Sequence, residues 1–158
     1  MIRGIHHTAI STPDIERAIA FYRDLLGFEV LVNGAWPRGV ESVDTLIGLK
    51  DSAARMAMLK KGNAMLELFE FESPAPARGN PHRPVNDHGL THICLDVTDL
   101  GSEYARLKDA GMFFHSAPVG TGNACCVYGR DPDGNVIELM EFGSRDHPMA
   151  LSLDEPSG

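Results

Sequence analysis

With 158 residues, 22 acidic against 14 basic side chains and a formal charge of −8, the chain is long enough for one domain or two small halves sharing a core, without disulfide staples. The acidic balance, with no Lys/Arg cluster, argues against nucleic acid or an anionic membrane surface as a partner, leaving a small molecule as the expected one. The three cysteines make no disulfide framework, and neither a signal-peptide run nor a bilayer-spanning segment is present, so a reducing cytoplasm is the expected location.

The chain opens with a short β-like run, His7-Thr8-Ala9-Ile10-Ser11, followed by Pro13 and Asp14, which suit the start of a helix. Ile15, Ala18, Ile19, Tyr22, Leu25 and Leu26 then follow the spacing of one helical face, and Gly27 marks the stop. A strand is expected at 28–33. The stretch 34–54, with Trp36 and Arg38, reads as irregular and suited to a pocket wall or lid. Strands follow at 55–60 and 65–71, separated by the turn residues Lys61-Gly62-Asn63. The segment 73–89 is rich in Pro, Gly and Asn and reads as a linker.

The second half repeats the first. His92-Ile93-Cys94-Leu95 answers His7-Thr8-Ala9-Ile10, and Asp99 answers Asp14, both at the same offset (92 − 7 = 99 − 14 = 85). Leu100, Tyr104, Leu107 and Ala110 give a weaker helical face that ends at Gly111. Strands are expected at 112–116 and 125–130. After the turn Asp131-Pro132-Asp133-Gly134, Val136–Phe142 matches Met65–Phe71 at four of seven positions. The expected fold is α+β, two βαβββ modules (about 4–72 and 90–143) in one domain over 1–143, with a polar tail at 144–158.

Strand alternation puts Thr8 and Ile10 toward the first helix and His7 on the opposite face, with Glu67 beside Met65, Phe69 and Phe71. In the second module His92 and Cys94 share the face away from the helix, and Glu138 lies with Val136, Met140 and Phe142. A carboxylate among such neighbours costs several kcal/mol unless compensated. Two glutamates repeated with two histidines point to one compensating centre, a divalent cation held by His7, Glu67, His92 and Glu138. The mixed N/O set suits Zn, Ni, Co, Mn or Fe(II). A lone His at a strand end is more often a hydrogen-bonded rim residue, and a lone strand Glu usually faces water. Spacing alone leaves that reading standing beside the metal one.

The motifs His7-Thr-Ala-Ile, Ala20-Phe-Tyr-Arg-Asp-Leu-Leu-Gly-Phe28, Gly89-Leu-Thr-His-Ile-Cys94 and Asp131-Pro-Asp-Gly-Asn-Val-Ile-Glu-Leu139 together resemble the vicinal oxygen chelate superfamily. That superfamily includes glyoxalase I, methylmalonyl-CoA epimerase, fosfomycin- and bleomycin-resistance proteins and extradiol dioxygenases. The resemblance implies paired modules forming a mixed sheet that curls around a metal bound by the four residues named. It implies proton transfer next to a metal-coordinated carbonyl, with Glu138 and Glu67 as catalytic carboxylates. The expected function is that of a glyoxalase-like isomerase, epimerase or lyase on a small molecule, in a homodimer. The alternatives are a ring-cleaving Fe(II) dioxygenase using His7, His92 and Glu138, and a non-catalytic binder of aromatic or drug-like ligands. The third strand, Arg55–Lys60, carries no carboxylate where the epimerases resemble one another in having a further acidic base. Trp36, Arg38, Tyr128 and Arg130 are the candidate substrate contacts, and Arg55 joins Arg38 and Arg130 as a possible receiver of an anionic group.

Overall fold

In the computed structural model, which describes residues 1–151, the chain divides into one compact unit spanning Met1–Gly79 and another beginning at Asn80. Both units build the expected α+β, βαβββ-type modules, and the strands of each hydrogen-bond into a mixed sheet of their own.

The first unit runs β1 (Thr8–Ser11), α1 (Ile15–Ala20), β2 (Glu29–Trp36), α2 (Glu41–Ile47), β3 (Ala53–Lys61) and β4 (Ala64–Ser73), with sheet order β1-β4-β3-β2. Asp14 caps α1 by accepting from the Arg17 amide at 3.0 Å. The helix continues as a π-helical stretch, Phe21–Leu25, closed by an i→i−5 bond from Leu26 N to Phe21 O at 3.1 Å. Ile15, Ala18, Ile19 and Tyr22 pack with Leu59, Leu66 and Leu68 to form the core, as the apolar spacing of the sequence requires. α2 corrects the expectation of an irregular stretch at 34–54, and β2 runs on to Trp36. None of the residues of α2 is buried, so it left no apolar periodicity to read.

The second unit runs β5 (Ile93–Asp96), α3 (Leu100–Asp109), β6 (Phe113–Phe114), β7 (Val119–Thr121), β8 (Ala124–Arg130) and β9 (Val136–Phe142). Its sheet order is β5-β9-β8-β6, with the additional short strand β7 also pairing with β8. Leu100 and Leu107 of α3 meet Val127, Ile137 and Leu139 in the core. Glu141 accepts from the backbone N–H groups of Asp99 and Leu100 at 2.8 and 3.0 Å, so the last strand caps the helix. The β8–β9 turn is closed by Asp131, whose carboxylate accepts from the amides of Asp133 and Asn135 and from the Asn135 side chain. Gly134 sits at φ +90, and a Cβ there would lie 2.2 Å from the Pro81 carbonyl oxygen, so the incoming segment packs onto a turn that requires glycine.

The tail expected over 144–158 is followed as far as Leu151, and the remainder lies outside the described residues. Among the described residues no helix is long and apolar enough to cross a membrane.

Leu59 is fully buried, whereas Leu46 on α2 is 83% exposed. Leu59→Ala is expected to lower unfolding stability by about 2–5 kcal/mol, and Leu46→Ala to change it by no more than about 0.5 kcal/mol. Urea unfolding of the two variants checks this contrast.

Candidate functional site

In each unit the site begins with a parallel pairing of its first and last strands. β1 pairs with β4 with Ala9 opposite Glu67, and β5 pairs with β9 with Cys94 opposite Glu138. Each histidine therefore lies two residues before the residue facing the glutamate (9 − 7 = 94 − 92 = 2), just ahead of its strand. This common register delivers the same contact twice. His7 Nε2 lies 3.2 Å from Glu67 Oε2, and His92 Nε2 lies 3.0 Å from Glu138 Oε2. On β4 burial alternates as expected, with Leu66 and Leu68 buried and Glu67 less so, whereas on β9 the run Val136–Leu139 is buried on both faces, Glu138 included. Glu138 is the more enclosed carboxylate, with 8% side-chain exposure against 15% for Glu67.

An imidazole nitrogen and a carboxylate oxygen that face each other at such distances need positive charge between them. A proton on Nε2 meets that need, and so does a cation bound by both atoms. Ligand bonds of about 2.0–2.2 Å at angles between a right angle and the tetrahedral value set N···O separations of roughly 2.9–3.4 Å. Both observed distances fall inside that range, so each pair has the bite of two adjacent ligands on one divalent ion. The outer ring nitrogens are also oriented. Thr91 Oγ1 and Tyr128 Oη lie 2.9 and 3.4 Å from His92 Nδ1, and His6 Nδ1 lies 2.8 Å from His7 Nδ1. Within the described residues, no group of three or more His, Cys, Asp or Glu side chains is gathered for metal binding, so the structure assembles the predicted ligands as two pairs.

The candidate substrate contacts divide clearly. Tyr128 stands opposite Glu138 on β8 and packs against the His92 ring at 5.1 Å between centroids. Trp36 shares the Glu67 face of its sheet, edge-on to Phe69 and Phe71, and donates from Nε1 to Ser52 Oγ at 3.0 Å. Arg38 is ion-paired with Asp51 at 3.1 Å. Arg55 bridges Glu16 and Glu70. Arg130 donates to His115 Nε2 and to the carbonyl oxygens of Gly134, Pro81 and Arg83, fastening the segment after Asn80 onto the β8–β9 turn. The three arginines considered for an anionic substrate are thus engaged within the fold.

Sequence alternation found Cys94 but overlooked Cys126, which flanks Glu138 from the other neighbouring strand. Cys94 is exposed as a residue, yet partial burial of its thiol, with the Glu138 charge beside it, pushes its pKa up to about 12. Burial and Glu138 also raise Cys126, and burial and Glu138 raise Tyr128. Adjacent Cys125, on the opposite face, hydrogen-bonds to Thr121 O instead.

Two βαβββ units, each carrying a His–Glu pair across its parallel first and last strands, define a two-module fold with a repeated His–Glu motif. The chain belongs to the Glyoxalase/Bleomycin resistance protein/Dioxygenase superfamily, whose profile matches residues 4–139. It is 32% identical over 114 residues to a 2-epi-5-epi-valiolone epimerase from an Actinomyces species, covering 66% of this chain and 58% of that protein. The chain thus spans less than two thirds of that relative. It is 28% identical over 142 residues to a probable lactoylglutathione lyase from Synechocystis sp., covering 88% and 95% of the two chains. Among solved structures, a glyoxalase family protein from Bacillus cereus is similar in fold, with a TM-score of 0.83 at 21% identity over 91% of this chain and 97% of the other.

In metal-free protein at pH 8, a Cys94 thiol with a pKa of about 12 is only about one part in ten thousand thiolate. The higher nucleophilicity of a more basic thiolate offsets part of that deficit, so alkylation is expected to run on the order of a hundredfold slower than for a free cysteine. Glu138→Gln removes the neighbouring charge that opposes ionisation and should speed it. Peptide mapping after timed iodoacetamide treatment reads both rates, and fast labelling in the unsubstituted protein would contradict this environment.

Proposed function

We propose that the protein is a divalent-metal-dependent isomerase, epimerase or lyase that moves a proton next to the carbonyl of a small-molecule substrate. The observation that carries this reading is the repetition of one His–Glu geometry in two units whose surroundings differ. Structural contacts such as the Asp14 and Asp99 helix caps recur between the halves as well. What favours a ligand pair is that each recurring contact joins a largely enclosed carboxylate to an imidazole nitrogen at the separation of two ligands on one ion. The reading makes His7, Glu67, His92 and Glu138 the ligands of one ion, for which Zn, Ni, Co, Mn and Fe(II) are all chemically suited. The contact of Glu67 with His7 supports four protein ligands over the two-His, one-carboxylate set of a ring-cleaving dioxygenase. The relatives named as an epimerase and a lyase belong to the reaction classes proposed.

A divalent ion bound there supplies Lewis-acid polarisation of a carbonyl oxygen, which acidifies the adjacent C–H bond. The chain supplies the rest. Glu138 is the proposed base, and a carboxylate oxygen on it receives the proton. Cys94, Cys126 and Tyr128 surround that carboxylate and limit its access to water. Thr91 and Tyr128 hold the His92 ring, keeping Nε2 aimed toward Glu138. Return of the proton from Glu138 to the neighbouring carbon gives isomerisation. Delivery of a different, solvent-derived proton from Glu67 to the other side of the original carbon, with Glu138 passing its own proton to water, gives inversion, so the division of labour between the two glutamates selects isomerisation or epimerisation. The proposed assembly is a homodimer, the commonest closed arrangement of a soluble chain.

Solvent deuterium incorporation tests the reaction class. Metal-loaded protein in heavy water is mixed with dihydroxyacetone, the hemithioacetal of methylglyoxal and glutathione, or a methylmalonyl thioester, and the C–H signal beside the carbonyl is followed by NMR. At least one probe is expected to exchange in a metal-dependent manner. Glu138→Gln should slow that exchange by about a hundredfold or more, compared at equal metal occupancy held by excess metal in the buffer. Exchange indifferent to chelation or to Glu138→Gln, or absent from all three probes, would overturn the proposal.

A further inference from the structure

Beyond the ligand pair, the face of the first sheet that carries Glu67 is aromatic. Alternation along β4 places Phe69 and Phe71 on that face, about 7 and 14 Å along the strand from Glu67, with their rings 5.6 Å apart at 33°. Trp36, opposite Ala54 on the neighbouring strand pair, closes on both rings at 5.8 and 6.0 Å in edge-to-face geometry. All three rings are only half-buried.

The segment after Trp36 holds the indole in place. Trp36 Nε1 donates to the hydroxyl of Ser52, a residue with no solvent exposure. That hydroxyl donates onward to Asp44 at the start of α2, and Asp44 also accepts from the amides of Asp51 and Ser52. The single polar atom of the indole is therefore spent inside the fold, and what Trp36 can offer a ligand is apolar ring surface. The equivalent face of the second unit is chemically different. Its positions around Glu138 are Cys94, Cys126 and Tyr128, and Phe142, the counterpart of Phe71, stacks with His147 at 4.5 Å. Only one glutamate of the repeat thus has an aromatic surface continuing from it along its own strand.

We propose that Trp36, braced by Ser52 and Asp44, selects substrates carrying a planar apolar substituent next to the oxygen-bearing head, with the substituent lying against Trp36 and Phe69. This inference rests on the metal-centred reading above, since the head group is placed by the ligands that include Glu67. It assigns the substrate class that reading leaves open: an aryl- or similarly ring-substituted carbonyl compound in preference to a short aliphatic one. Trp36 acts by contact with the substituent, and Ser52 is a positioning residue acting through Trp36.

Two hydroxamates that present the same pair of vicinal oxygens, benzohydroxamate and acetohydroxamate, isolate the effect of the ring. Calorimetric titration of Zn-loaded protein is expected to show benzohydroxamate binding at least about tenfold tighter, the consequence of burying one phenyl group. Trp36 is the sole tryptophan of the chain, so its emission should change with benzohydroxamate and hardly at all with acetohydroxamate. Trp36→Leu should reduce the affinity ratio about two- to tenfold and leave acetohydroxamate binding unchanged. Trp36→Phe should keep most of the ratio, and Ser52→Ala should lower it without altering metal content. Equal affinity for the two hydroxamates, or a ratio untouched by Trp36→Leu, overturns the substrate assignment while leaving the metal site standing. Failure of both to bind in a metal-dependent way removes the metal-centred reading and this inference with it.

Discussion

A carboxylate largely enclosed on the face of a strand needs a compensating partner, and this constraint organises both halves of the chain. Glu67 and Glu138 have low side-chain exposure, and each meets a histidine Nε2 across a parallel strand pair at about the separation of two ligands on one ion. The parallel register in turn requires the crossover that the helix provides, because the first and last strands of each unit can run side by side only if the chain returns over one face of the sheet. The helix buries that face, and the glutamates are left on the other. Fold and site are thus two consequences of the same βαβββ path.

The repeat is symmetric in its His–Glu pairs and asymmetric around them. In the first unit the glutamate lies next to Phe69 and opposite Met58, with Trp36 and Phe71 further along. In the second the glutamate is flanked by two thiols and a phenol, all with ionisation suppressed by burial and by the glutamate's own charge. One half offers apolar surface, the other closely held polar groups that stay neutral near physiological pH. Such a division suits a reaction in which one carboxylate handles a proton and the surface beside the other takes up the rest of the substrate.

Much of this was legible in the sequence because period and repeat are strong signals. The offset of 85 residues shared by both histidines and both helix-capping aspartates fixed the module boundaries, and alternation in Met65–Phe71 and Val136–Phe142 assigned the glutamates to their faces. What stayed hidden has physical reasons. α2 is short and has no buried residue, so no amphipathic pattern marks it. The roles of the arginines depend on partners far away in sequence: Arg130 reaches back 47 residues to the Arg83 carbonyl, which composition does not reveal. Ser52 looks like an ordinary loop serine until it is seen between Trp36 and Asp44.

The claim on which the account rests is that the two His–Glu pairs act together on one ion. Elemental analysis of untagged protein, purified without chelators and compared with His7→Ala and His92→Ala, addresses it directly. The account predicts about one divalent metal per chain, as for a single mixed N/O site, and loss of that metal in both variants although the substitutions fall in different units. Two metals per chain, or full retention in either variant, would contradict it and return each pair to a local hydrogen bond or an independent site.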